Sequence, residues 1–138
     1  MIRALILFAA LFLSGLTSAQ AAVSVQNMRL WRAPDHTRIV FDLSGSLEYR
    51  LEILSGPPRI VVDLKQAELE SALPVLDDGG RFVARIRAAR FDTDTLRIVL
   101  DLKAEAQPRA FVLKPAGPYG HRLVLDLMEP RAGTGGAD

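Results

Sequence analysis

Arginine and aspartate recur in this chain at a spacing suited to ionic recognition. Arg38 and Asp42, Arg59 and Asp63, Arg97 and Asp101, and Arg122 and Asp126 each stand four residues apart. A guanidinium presents a planar fork of donors that meets a carboxylate or phosphate with two bonds at once. Four such cations could therefore grip anionic groups. Trp31 and Tyr119 add ring faces, each with an apolar body and a polar tip. Catalytic chemistry has far less to draw on. A zinc hydrolase site needs about three protein ligands and an open position for water, whereas the only two histidines, His36 and His121, lie 85 positions apart in turn-like stretches before strands. The sequence holds no cysteine, no G-x-S-x-G elbow and no glycine-rich phosphate loop. These observations predict a protein that is not an enzyme and uses no metal or cofactor.

The ionic residues sit in a phrase repeated four times, and the phrase fixes the elements that must carry them. RIVFDL at 38–43 is echoed by RIVVDL at 59–64, RIVLDL at 97–102 and RLVLDL at 122–127. In an extended strand alternate side chains point to opposite faces. Ile39, Phe41 and Leu43 then share one face, as do Ile60, Val62 and Leu64, Ile98, Leu100 and Leu102, and Leu123, Leu125 and Leu127. Arg and Asp fall on the other face, which marks strands buried on one side only. Within one copy the two charges are about 13 Å apart along the strand, so each must find its partner on a neighbouring strand or a ligand.

The repeats start at 38, 59, 97 and 122, at intervals of 21, 38 and 25, which implies two pairs and hence an internal duplication. Each half reads as four strands separated by turn residues such as Pro34 and Asp35, SGPP, Asp92 and Asp94, and PAGPYG. Folded as up-and-down meanders, the halves would form two similar four-stranded sheets packed as an antiparallel β-sandwich. Glu48, Arg50 and Glu52 would then lie between Arg38/Asp42 and Arg59/Asp63 as an outward ionic lattice. In the connection QAELESALPVLDDGG, Leu69, Ala72 and Leu73 predict one short helical turn ended by Pro74.

Residues 1–21 read as an export signal: Arg3, an apolar run from Ala4 to Leu13, and small residues Ala19 and Ala21. A membrane anchor would need about 20 apolar residues, and here Ser14, Gly15, Thr17, Ser18 and Gln20 interrupt the run. The expected organisation is a signal peptide at 1–21, one β-sandwich domain at 22–130 and a disordered tail at 131–138, with the exported protein free of the membrane. Of 17 basic and 16 acidic residues, losing Arg3 leaves 16 of each. That balance argues against a nucleic-acid partner, which calls for a basic surplus.

Taken in order, LWRAPDHTRIVFDLSG, GPPRIVVDLK, LRIVLDLK and KPAGPYGHRLVLDL resemble the AMIN domain, the module at the N-terminus of many bacterial N-acetylmuramoyl-L-alanine amidases. The resemblance covers about residues 23 to 128. It implies a periplasmic module of two similar sheets that binds peptidoglycan and brings an amidase to the division site, and related modules occur in secretins of type IV pilus systems. On that basis Arg38, Asp42, Arg59, Asp63, Arg97, Asp101, Arg122 and Asp126 are candidate contacts for the carboxylates of stem peptides. Trp31 and Tyr119 are candidate platforms for sugar rings. Two other expectations remain open: an adaptor that docks on division or other envelope proteins, and the N-terminal part of an amidase whose zinc domain lies beyond Asp138.

Overall fold

The structure, a computed structural model, describes residues 21–131. The expected signal segment, but for Ala21, and the expected tail, but for Arg131, lie outside the described residues. Among the described residues nine strands follow one another: β1 Val23–Arg32, β2 His36–Leu43, β3 Tyr49–Leu54, β4 Arg59–Lys65, β5 Ala67–Leu69, β6 Val83–Arg90, β7 Thr95–Leu102, β8 Gln107–Leu113 and β9 His121–Met128. One sheet has the order β5-β1-β2-β9-β8 and the other β3-β4-β7-β6. All neighbours are antiparallel except β1 and β5. The described chain is an all-β sandwich.

Alternation explains the core. All twelve phrase positions on the predicted apolar faces point inward, each 9% exposed or less. Phe41 and Phe82 fill the space between the layers. Burying a side chain of this size contributes roughly 1.5–3 kcal/mol relative to leaving it in water, so twelve of them on four central strands supply the main stabilising term.

The halves do not form one sheet each, as the meander predicts. Each half gives a hairpin to both sheets: β1–β2 and β8–β9 make the larger sheet, with β5, while β3–β4 and β6–β7 make the smaller. The repeated strands meet as central neighbours, β2 with β9 and β4 with β7. The reason is electrostatic as well as hydrophobic. An R-x-x-x-D strand turned antiparallel to another puts each Arg opposite an Asp: Arg38 faces Asp126, Asp42 faces Arg122, Arg59 faces Asp101 and Asp63 faces Arg97. In a meander the phrases would be separated by another strand and this complementarity lost. The predicted lattice is corrected accordingly, because β3, with Glu48 just before it and Arg50 and Glu52 within it, is an edge strand next to β4 alone and belongs to the other sheet from Arg38 and Asp42.

The connection after β4 also differs from expectation. It makes β5, which extends the larger sheet to five strands by pairing parallel to β1, Val23 with Ala67 and Val25 with Leu69. The amide of Glu70 donates to the carbonyl of Val25 at 3.0 Å. Ala67 is buried and Leu69 and Leu73 pack on the core. A helical turn would satisfy the same apolar residues but forfeit the bonds to β1.

Candidate functional site

The outward faces of the two sheets carry the charged residues, related by the duplication. On the larger sheet Arg38 donates from Nε and Nη2 to both oxygens of Asp126, at 2.8 and 2.8 Å. Its counterpart on the smaller sheet, Arg97, grips Asp63 in the same way at 2.8 and 3.0 Å. Asp126 is only 8% exposed. The Arg38 guanidinium holds the Asp126 carboxyl below the usual carboxylate range, overcoming the desolvation that would raise it. Arg97 does the same to Asp63.

The second possible pair in each sheet does not form. Asp42 is taken by Arg29 of β1, at 2.9 and 2.7 Å, in place of Arg122. Asp101 is taken by Arg87, at 2.8 and 3.1 Å, and by Arg85 at 3.2 Å, in place of Arg59. Those bonds, Arg87 first, lower the Asp101 carboxyl. Among the described residues Arg122 and Arg59 consequently have no carboxylate partner. Arg122 donates instead to the carbonyls of Gly120 at 3.2 Å and Lys114 at 3.3 Å, and Arg59 to that of Pro57 at 2.9 Å.

Aromatic rings gather on the larger sheet. Met28 is buried and Leu30 packs on the core, so β1 turns Arg29 and Trp31 outward together. Trp31 is 48% exposed and Tyr119 50%. The Arg29 guanidinium carbon lies 5.1 Å from the Trp31 ring centre and 5.5 Å from that of Tyr119, and Arg122 lies 5.1 Å from Tyr119. Trp31, Arg29, Tyr119 and Arg122 thus form a ladder of alternating rings and cations, spaced for cation–π attraction. The loop from β8 to β9 places Tyr119 through a small closed turn, Ala116 and Tyr119 exchanging backbone bonds at 2.9 and 3.0 Å. Gly117 takes the positive φ of 55° that this turn needs. The ladder borders an open cleft of about 460 Å³ floored by Val40 and Val124. Both valines are almost fully covered, at 4% and 2%, although they point away from the core.

Of the ten residues singled out from sequence, Trp31, Arg38, Asp42, Tyr119, Arg122 and Asp126 are brought together on the larger sheet. Arg59, Asp63, Arg97 and Asp101 lie on the opposite face of the molecule. Sequence reasoning missed the roles of Arg29, Arg85 and Arg87, which lie outside the repeated phrase. Strand parity was their available signal, since they sit on the outward side of β1 and β6, opposite or diagonal to the aspartates. Among the described residues no three His, Cys, Asp or Glu side chains are grouped to hold a metal ion.

The class these features define is a duplicated, mostly antiparallel β-sandwich with ionic outer faces and a ring-lined cleft. A family model described as the AMIN domain matches residues 27–127, and the chain belongs to the AMIN domain family. It is 36% identical over 119 residues to the N-acetylmuramoyl-L-alanine amidase AmiC of Escherichia coli O6:H1, an alignment that covers 81% of this chain and 28% of the relative. With the amidase AmiC of Neisseria meningitidis serogroup B it is 33% identical over 103 residues, 72% of this chain and 25% of that one. The chain spans about a quarter of the length of these relatives.

Proposed function

We propose that this chain is a non-catalytic module that binds peptidoglycan in the periplasm and fixes the position of wall-processing machinery at sites of division. The observation that carries this reading is the ladder of Trp31, Arg29, Tyr119 and Arg122 over a valine-floored cleft. Rings suit the apolar faces of sugars, and guanidinium groups suit the carboxylates of wall peptides. Arg38, Asp42 and Asp126 complete the proposed contact surface, the paired members by holding the arginines in place, while Arg59, Asp63, Arg97 and Asp101 form a second ionic array on the opposite face. Kinship with enzymes named for their action on N-acetylmuramoyl-L-alanine supports the wall as the partner. The export signal expected at 1–21 supports the compartment.

Co-sedimentation with purified murein sacculi tests the proposal. The protein pellets with sacculi at about 50 mM salt, and the pelleted fraction falls toward 500 mM as screening weakens charge contacts. Failure to pellet at low salt would rule the reading out.

A further inference from the structure

The duplication gives the molecule two outward faces with matching scaffolds, and the positions at which they differ are informative. Trp31 stands opposite Arg38 across β1 and β2, and at the same place across β6 and β7 Ala89 stands opposite Arg97. Phe111 lies opposite Val124 on the larger sheet, whereas Glu52 lies opposite Val61 on the smaller. Three residues before the carboxylate-free arginine comes Tyr119 in one half and Gly56 in the other. At all three positions the larger sheet has a ring and the smaller sheet has none. On the outward side of the smaller sheet the ring of Phe91, just after β6, is stacked on Arg97, 3.8 Å from the guanidinium carbon to the ring centre.

We infer that the two faces have separated in function: the larger sheet binds a carboxylate-bearing sugar or sugar–peptide unit, and the smaller sheet's ionic array serves to stabilise and solubilise. This rests on the wall-binding reading above and goes further by naming the face and the chemical group. Arg122 is the anion contact. Two of its five N–H groups are spent on backbone carbonyls and its plane is steadied by Tyr119, so the rest of the fork faces the cleft already oriented. A guanidinium held this way loses less freedom on binding than a mobile one. Val40 and Val124 lie beneath the cleft, and half-exposed Trp31 supplies its apolar side wall. The cleft of about 460 Å³ suits a unit of one or two sugars. Arg59 has neither the ring nor the cleft wall of Arg122, and Arg29 and Arg38 are already neutralised by Asp42 and Asp126.

The protein carries its own reporter, because Trp31 is the only tryptophan. The test follows Trp31 emission during titration with soluble muropeptides, beside sacculus co-sedimentation of the unaltered protein, Arg122→Ala, Tyr119→Ala and Arg59→Ala. Circular dichroism confirms that each variant is folded, and a second set of sacculi has its carboxylates amidated. Emission changes on titration. Arg122→Ala and Tyr119→Ala weaken binding at least roughly tenfold, as loss of a charge-assisted contact implies. Arg59→Ala stays within about twofold of the parent, and amidated sacculi bind as weakly to the parent as native sacculi do to Arg122→Ala. Binding to sacculi with unchanged emission, or equal losses from Arg59→Ala and Arg122→Ala, overturns the assignment to one face while leaving wall binding intact. Full binding to amidated sacculi overturns the carboxylate as the group recognised. If the parent fails to bind sacculi at all, both readings fall.

Discussion

Replacing Arg38 with alanine tests whether the reciprocal ion pairs hold the sheets together. The Asp126 side chain is 11% exposed and that of Arg38 43%, so one member of the pair is desolvated and the other is wet. A fully exposed pair contributes about 0–1 kcal/mol, and a hydrogen bond to a charged group in drier surroundings about 1.5–3 kcal/mol. The two bonds at 2.8 Å with one partner covered place the coupling between these limits, at about 1–2 kcal/mol. Arg38→Ala alone costs somewhat more than the coupling, about 2–3 kcal/mol, because Asp126 keeps its burial and loses its donor. The assay is a double-mutant cycle of Arg38→Ala and Asp126→Ala by urea unfolding, with the slope on denaturant unchanged across the four proteins. Arg85→Ala is the control, since Asp101 retains both bonds from Arg87 and the change falls within about 0.5 kcal/mol. A coupling below about 0.3 kcal/mol, or a control as damaging as Arg38→Ala, would show that the pairs decorate the sheet and do not brace it.

Acid should unfold the domain through the same groups. The carboxyls of Asp63, Asp101 and Asp126 lie below their ordinary value when folded, so between the two values the unfolded chain binds more protons and stability rises with pH. Their contribution is complete above about pH 5 and drains away as pH falls through about 3.9 and below; melting temperature against pH measures it, and Asp63→Asn with Asp126→Asn should flatten the acid limb. Phe41→Ala empties a fully buried site between the layers and should cost about 3–5 kcal/mol in chemical unfolding. In Gly79→Ala the new Cβ would stand 2.0 Å from the Val83 carbonyl oxygen, so the backbone at the start of β6 must shift; a loss of about 1–3 kcal/mol is expected in the same assay.

The strands and the core were legible because the period of two is written four times over. Ile39, Phe41 and Leu43 and their counterparts point inward whatever sheet they join, so burial followed from alternation alone. Sheet membership is a long-range property, and the sequence order of strands invited the simplest meander. The decisive clue was present in the phrase itself, because R-x-x-x-D is complementary to its own antiparallel copy and the pairing β2 with β9 and β4 with β7 satisfies it. The three-residue β5 had no such signal. Gln66 adopts a φ of 49° before it and backbone bonds set its parallel register on β1, neither of which the side-chain pattern of residues 66–80 encodes. The rings were singled out as residues, but their meeting with Arg29 depends on the β8–β9 loop reaching back to β1, a contact between positions 90 residues apart.

The arithmetic of the ion pairs then explains how a repetitive scaffold acquires a site. Two R-x-x-x-D strands side by side hold two arginines and two aspartates and could neutralise themselves completely. An extra arginine on the flanking strand, Arg29 on β1 or Arg87 on β6, competes for one of the aspartates and wins it with two bonds. The displaced arginine, Arg122 or Arg59, then stands at the start of a central strand without a carboxylate partner among the described residues. The displacement occurs in both sheets, so it follows from the duplicated scaffold. The rings beside Arg122 occur in one sheet only, so they need a separate cause, and the ligand proposed for that face would be one.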